Sequence, residues 1–178
     1  AAVGDGADEV DLVIDYGLLK DDATAGRAAA ENLTRAVRGV CPSGSVLLKV
    51  IVESGELADP TLITAACEAA LAGGCDFVKT STGKTPVSAT PEAAEVMLRA
   101  VASYERRAGA AGKPRGFKAA GGVRDLAMAE RFLKLAAEVL FGNAHRWPEL
   151  DARRMRFGSS SLLAALRDPG AAAPSAGY

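Results

Sequence analysis

The feature that most constrains the fold of this chain is a regular alternation between short apolar runs and longer segments with helical periodicity. Five runs of strand length are each followed by such a segment. The clearest run, residues 46–52, is almost continuously apolar, which is typical of a parallel strand. Five successive β-α units predict a parallel sheet covered by helices, and both an open doubly wound sheet and a closed barrel satisfy this pattern.

Caps and turn residues set the expected boundaries of these elements. Asp59-Pro60 and Thr90-Pro91 each place a capping side chain before a proline at the first helical position. The predicted strands are residues 9–14, 46–52, 77–81, 116–119 and 154–158, and the predicted helices are residues 24–38, 60–72, 91–107, 126–137 and 161–166. No G-x-G-x-x-G motif follows the first strand, so a dinucleotide site is not indicated.

The composition narrows the class of protein. The chain has 178 residues, enough for one domain, and its 21 Lys and Arg nearly balance its 22 Asp and Glu. No nucleic-acid partner is indicated by this charge, and no apolar run is long enough for a membrane span. Three cysteines without a C-x-x-C pair indicate reduced thiols in a cytoplasmic protein. The single histidine, His145, is expected in a surface loop, and no metal site or cofactor is indicated.

Charged residues lie within or at the ends of four predicted strands, namely Asp11, Lys49, Lys79 and Lys118. A charge next to a buried strand costs free energy unless it is paired or functional. In a β/α barrel, residues at the carboxyl ends of different strands converge on one face and form the active site. Lys49 alone is explained by an ion pair with Asp11 or Glu53, whereas four such positions together favour a functional cluster.

Two lysines that converge in a site of low dielectric constant lower each other's pKa. A nucleophilic lysine needs a shift of about 3 units from its ordinary value, or ~4–5 kcal/mol. An amine activated in this way forms a Schiff base with a carbonyl substrate. Lys79 is the candidate nucleophile, with Lys118 as the perturbing cation and Asp11 as a proton carrier or as the group that holds the lysines. The structural alternative is a Lys-Asp-Lys ion-pair network without chemistry.

A second group of residues suggests a phosphate site. Gly121 and Gly122 follow one predicted strand, and Ser160 and Ser161 open the helix after the next. Backbone N–H groups at such positions bind anions, and barrel enzymes often build phosphate sites from the loops after strands 7 and 8. Lys84, in the loop after Lys79, would add a positive charge. Taken singly, the glycines are explained as a turn and the serines as a helix cap.

This placement makes the five predicted strands numbers 4–8 of a (β/α)8 barrel. Such barrels take about 250 residues, so we expect roughly 70 or more residues of the fold to precede residue 1. Residues 1–6 are expected to be the end of a helix and a glycine turn, which agrees with a start within the fold. Residues 1–168 are predicted to form a partial barrel domain, and residues 169–178 a flexible tail.

Five motifs closely resemble deoxyribose-phosphate aldolase, a class I aldolase of the TIM-barrel family. They are GADEVD at residues 6–11, VLLKVI at 46–51, DFVKTSTGK at 76–84, GFKAAGGVR at 116–124 and RFGSSSLL at 156–163. The motif around Lys79 is highly specific, whereas the glycine and serine stretches are weak alone. The resemblance implies reversible cleavage of 2-deoxy-D-ribose 5-phosphate to D-glyceraldehyde 3-phosphate and acetaldehyde, in deoxyribonucleotide catabolism and without a metal.

The resemblance also implies residue roles. Lys79 would form the Schiff base, Lys118 would perturb it and Asp11 would relay protons. The phosphate would lie among Gly121, Gly122, Ser160, Ser161 and Lys84. Some members of the family end in a tyrosine that moves a proton at the acetaldehyde carbon, and this chain ends in Tyr178, which is otherwise a tail residue.

The chain departs from the family in three ways. The first three strands are absent, Ala119 stands where many members have proline, and residues 143–150 are longer than usual. Two alternatives therefore stay open, a catalytically silent fragment that needs the missing strands and another Schiff-base lyase acting on a keto acid. The expected partner is a phosphorylated sugar. A homodimer is compatible with the resemblance, although the sequence does not set the oligomeric state.

Overall fold

The computed structural model describes residues 2–109 and 113–167, and its strands form one parallel sheet. The strands are β1 Glu9–Val13, β2 Leu47–Ile51, β3 Phe77–Lys79, β4 Gly116–Ala120 and β5 Met155–Gly158. Their order in the sheet is the order in the chain, and each neighbouring pair is parallel. A doubly wound sheet reverses its order at a switch point, so the sequential order is that of a barrel segment and confirms the predicted fold class.

Helices follow every strand. They are α1 Tyr16–Asp21, α2 Ala23–Val40, α3 Ser54–Leu57, α4 Pro60–Ala72, α5 Pro91–Ala108, α6 Leu126–Phe141 and α7 Ser160–Arg167. The predicted caps are present, because Asp59 accepts a hydrogen bond from the N–H of Thr61 at 2.6 Å and Thr90 accepts one from that of Ala93 at 3.2 Å. None of the described helices is both long and apolar enough to cross a membrane.

The structure differs from the predicted elements in a few places. Helices α1 and α3 were not predicted because they are too short to show a helical period. Strand β3 ends at Lys79 rather than Ser81. Beyond Lys79, the hydroxyl of Thr80 bonds the N–H and the carbonyl of Ala120 in place of a backbone hydrogen bond between the strands. His145 is exposed as expected, but it lies in a 3-10 helix, Ala144–Glu149. Residues 2–6 are assigned as turns, but their hydrogen bonds are those of a helix end closed by a glycine, as predicted. The N–H of Gly6 bonds the carbonyl of Val3 at 3.1 Å, the N–H of Ala7 bonds that of Ala2 at 2.9 Å, and Gly6 has a φ angle of 91°.

The core lies between one face of the sheet and the helices. Successive strand residues point to opposite faces, so Val50, Val78 and Ala119 pack against the helices and are completely buried. Their neighbours Lys49, Lys79 and Lys118 lie on the other face, here called the inner face. The alternation that places apolar side chains in the core therefore also places these charged side chains together on the inner face. The predicted tail at residues 169–178, including Tyr178, lies outside the described residues.

Candidate active site

Parallel pairing brings the charged side chains of the inner face together. Asp11 on β1 lies opposite Lys49 on β2, and Lys79 on β3 lies opposite Lys118 on β4. The carboxylate of Asp11 reaches all three lysines. Its Oδ1 atom is 2.9 Å from the Nζ atom of Lys49, and its Oδ2 atom is 2.6 Å from that of Lys79 and 3.7 Å from that of Lys118. One carboxylate oxygen is thus shared by the two lysines of the predicted amine site.

Two lysines of the cluster are largely removed from solvent. Lys79 is 9 % exposed and Lys49 is 3 % exposed, whereas the Asp11 side chain keeps about a third of its surface accessible. Burial by itself would raise the pKa of Asp11, but the hydrogen bonds from Lys79 and Lys49 outweigh it and lower the pKa to about 2. Asp11 is therefore ionised at neutral pH, and it can accept a proton but has none to donate.

The pKa of the Lys118 amine is lowered from its ordinary value. Burial of its side chain lowers its pKa most, the positive charge of Lys79 lowers it further, and the charge of Asp11 opposes both. The charge of Lys79 therefore acts on the pKa of Lys118 in the direction expected where two lysines converge, and burial is the larger cause. An amine with a lowered pKa beside a shared carboxylate can exchange a proton with it.

Two residues of the cluster were missed by the sequence reasoning. Glu9 accepts from the Nζ atom of Lys49 at 2.6 Å and from the guanidinium of Arg156 at 2.5 Å. Arg156 also stacks over the Phe77 ring, 4.9 Å from its centroid. Lys49 therefore pairs with Glu9 and Asp11 and not with Glu53. Glu9 is two residues before Asp11, and this strand alternation was the available signal that they share a face.

The predicted phosphate residues lie at the carboxyl end of β4 and β5. Gly121 and Gly122 have positive φ angles of 73° and 77°, and the N–H of Gly121 bonds the carbonyl of Gly158 at 3.1 Å. Ser160 and Ser161 form the first turn of α7. The helix is capped by Ser159, whose Oγ atom accepts from the N–H of Leu162 at 3.1 Å. The two segments therefore lie at the carboxyl ends of two neighbouring strands, β4 and β5.

Lys84 lies in the loop between β3 and α5 and is exposed. That loop passes close to the glycine turn, since a Cβ atom on Gly121 would lie 2.5 Å from the Oγ atom of Ser88 and 3.8 Å from the Cα atom of Gly83. The loop of Lys84 and the glycine turn are therefore in contact.

Among residues 2–109 and 113–167, no group of three or more His, Cys, Asp or Glu side chains is placed to hold a metal ion.

Several solved structures are similar to this chain over most of its length. A crystal structure of a putative deoxyribose-phosphate aldolase from Toxoplasma gondii ME49 matches with 30 % identity and a TM-score of 0.79, and its apo form matches with 32 % identity and a TM-score of 0.77. Both alignments cover 94 % of this chain and 61 % of the relative. A putative deoxyribose-phosphate aldolase from Coccidioides immitis matches at 27 % identity and a TM-score of 0.68, over 93 % of this chain and 55 % of the relative.

The chain thus spans less than two thirds of the length of these relatives. The model of the DeoC/LacD family aldolases matches residues 1–166, which is nearly the whole chain and includes every strand and helix of the sheet segment except the last residue of α7. This chain therefore belongs to the DeoC/LacD aldolase family.

Proposed function

We propose that this chain carries the active site of a class I aldolase that reversibly cleaves 2-deoxy-D-ribose 5-phosphate. The observation that carries the proposal is the pairing of Lys79 with Lys118 around the Oδ2 atom of Asp11, at 2.6 Å and 3.7 Å. Burial and a neighbouring amine can activate a lysine for Schiff-base formation, and an ionised carboxylate beside both can take part in the proton transfers. Membership of the aldolase family supports the same reaction class.

In the proposed reaction, the amine of Lys79 is the nucleophile. The uncharged amine adds to the aldehyde carbon of the open-chain sugar, and loss of water gives an iminium ion. When the C3 hydroxyl loses its proton, the C2–C3 bond breaks and its electron pair flows to the iminium nitrogen. D-glyceraldehyde 3-phosphate leaves, and an enamine remains on the lysine. Protonation of the enamine at C2 and addition of water then release acetaldehyde and regenerate the amine.

Asp11 and Lys118 are proposed to move the protons of this cycle. Asp11 is a weak base while charged lysines surround it, because their hydrogen bonds and charges lower its pKa. Proton loss from Lys79 removes one of these cations, so the pKa of Asp11 rises when a base is needed. Lys118 lies 3.7 Å from the same carboxylate oxygen and is placed to exchange protons with it.

The substrate phosphate is assigned to the glycine turn and to the start of α7. Gly121 and Gly122 leave room for backbone N–H groups to approach an anion, and Ser160 and Ser161 lie where the helix N-terminus is electropositive. Lys84 contributes a charge from the adjoining loop. Tyr178 is kept as a proposed proton carrier at the acetaldehyde carbon, and it lies outside the described residues.

The test is to trap the Schiff base. Acetaldehyde and borohydride are added to the chain, and mass spectrometry locates the reduced two-carbon adduct. We expect it on Lys79, with none in Lys79→Met and an unchanged yield in Lys134→Met, where the lost lysine is paired with Glu130 on the surface of α6. No adduct, or an adduct on another lysine, contradicts the assignment. Parallel assays with a phosphorylated aldose and a 2-keto acid separate this reaction from a keto-acid lyase.

A second candidate is a catalytically silent barrel segment. It is favoured by the sheet itself, because β1 and β5 each pair with only one neighbour among the described strands and so leave two open edges. The chain also spans less than two thirds of its relatives. Activity and size-exclusion measurements on this chain decide between the two, since an active monomer excludes the silent segment.

A further inference from the structure

Glu53 is a buried carboxylate directly after β2. It is 1 % exposed, and among the described residues its carboxylate makes no ion pair. Its backbone is in the left-handed region, with φ 53° and ψ 59°. A buried charge without a cation and a left-handed non-glycine residue each cost free energy. Such a residue persists where the surrounding structure holds it, so its contacts indicate what it does.

The carboxylate of Glu53 binds the loop that carries Lys84. Both of its oxygens accept from the N–H of Thr82, at 3.2 Å and 3.1 Å, and its Oε1 atom accepts from the hydroxyl of Thr85 at 3.2 Å. The N–H of Lys84 in turn bonds the Oγ1 atom of Thr82 at 3.1 Å. Glu53 therefore holds the loop on both sides of Lys84, and no lysine of the inner face competes for it.

The backbone on either side of Glu53 is attached to the strand of Lys79. The N–H of Val52 bonds the carbonyl of Lys79 at 3.0 Å, and the N–H of Ser54 bonds the carbonyl of Thr80 at 2.9 Å. The position of Glu53 is thus set by the end of β3. Glu53 then transmits this position to Lys84, so the candidate nucleophile and the candidate phosphate lysine share one support.

The loop is also confined from two directions. A Cβ atom on Gly55 would lie 2.0 Å from the carbonyl oxygen of Val87, so α3 packs directly against the loop. On the other side, the turn of Gly121 meets Ser88. Between these contacts, the hydrogen bonds of Glu53 are the polar anchor of the segment that contains Lys84.

We propose that Glu53 is a positioning residue that fixes Lys84 for binding the anionic group of the substrate, at a set place relative to Lys79. The inference rests on the proposed function, because it assumes that Lys84 faces a phosphate. It predicts that loss of Glu53 impairs recognition of phosphate while leaving the amine chemistry of Lys79 in place.

The experiment compares the full chain with Glu53→Ala, Glu53→Gln and the control Glu56→Gln, which changes a neighbouring carboxylate of α3. Hydrogen exchange read by mass spectrometry should be about tenfold faster at residues 82–88 in Glu53→Ala, because hydrogen bonds to a charged acceptor are lost. Residues 47–51 should exchange as before, which shows that the sheet is intact. Glu53→Gln, which keeps one acceptor oxygen, should be intermediate, and unchanged exchange at residues 82–88 would overturn the proposal.

A second readout follows acylation of Lys84 by acetic anhydride with and without inorganic phosphate. Phosphate should protect Lys84 in the parent chain and in Glu56→Gln, and protect it less in Glu53→Ala. Equal protection in Glu53→Ala, or no protection in the parent, overturns the role of Glu53. Trapping of acetaldehyde on Lys79 is measured in the same variants and should persist, since acetaldehyde carries no phosphate. A failure of the Schiff-base proposal would show there, separately from a failure at Glu53.

Discussion

Glu9 on the first strand and Arg156 on the last strand form an ion pair of 2.5 Å across the inner face of the sheet. Between these two strands, the guanidinium of Arg156 stacks over the ring of Phe77 on the middle strand, β3. Glu9 also accepts from Lys49, which in turn binds Asp11. The ion pair therefore connects the two outer strands of the described sheet and continues into the lysine cluster.

We expect this ion pair to stabilise the sheet measurably. In a double-mutant cycle of Glu9→Gln and Arg156→Met, the coupling energy should be about 0.5–1.5 kcal/mol, because Arg156 is partly buried and both groups belong to a network. Urea unfolding of the four proteins provides the measurement. The exposed pair of Glu95 and Arg99, at 2.6 Å on α5, is the matched control and should couple more weakly. Equal coupling in the two pairs would show that Arg156 adds nothing beyond a surface contact.

The lowered pKa of Asp11 predicts acid sensitivity. A carboxyl whose pKa is lower in the folded state stabilises the fold above its ordinary pKa, and this contribution is lost as the pH falls through the folded value. For Asp11 the window runs from its ordinary value of 3.8 down to about 2. We expect Asp11→Asn to cost about 1–2 kcal/mol near pH 7, after allowance for solvent screening of this partly exposed group.

The measurement is the free energy of unfolding of both proteins between pH 7 and pH 2. The difference between them should shrink as the pH falls from about 4 towards 2, because the carboxyl becomes neutral in the parent as well. Asp21→Asn on α1 is the control substitution at an exposed aspartate. A difference that stays constant down to pH 2 would mean that the charge of Asp11 contributes nothing to stability.

The sheet and the lysine cluster were predictable because both depend on local patterns. Alternation along a strand assigns Lys49, Lys79 and Lys118 to one face without knowledge of their partners, and capping residues such as Asp59 mark helix starts directly. The strand order and register then bring these faces together. The catalytic and phosphate roles of these residues stay predictions, and Tyr178 lies outside the described residues.

The rest of the network depends on contacts that no local pattern encodes. Arg156 and Glu9 are 147 positions apart, so only the arrangement of the whole sheet brings them together. Glu53 looked available to Lys49, but its backbone is left-handed where α3 begins, and its carboxylate bonds the loop at Thr82. The missing signal was therefore backbone conformation at a single residue.

The glycine turn beside the proposed phosphate site allows a direct test of how tightly the neighbouring loop is packed. Gly121 and Gly142 have nearly the same positive φ angle, 73° and 71°. A Cβ atom on Gly121 would lie 2.5 Å from the Oγ atom and 2.6 Å from the Cβ atom of Ser88, whereas one on Gly142 would meet nothing within 4 Å. Both positions therefore have a positive φ angle that strains an alanine, and they differ in the contact that its Cβ atom would make.

We expect Gly142→Ala to cost about 1 kcal/mol, since it pays only for the left-handed conformation. Gly121→Ala should cost more by about 1–3 kcal/mol, because the Cβ atom of Ser88 is close to the backbone and cannot rotate away. Urea unfolding gives both values. Adding Ser88→Gly to Gly121→Ala removes the clashing atoms and should bring the cost of the alanine near that of Gly142→Ala. Equal costs at Gly121 and Gly142 without this second change would show that the loop yields freely and does not constrain the turn.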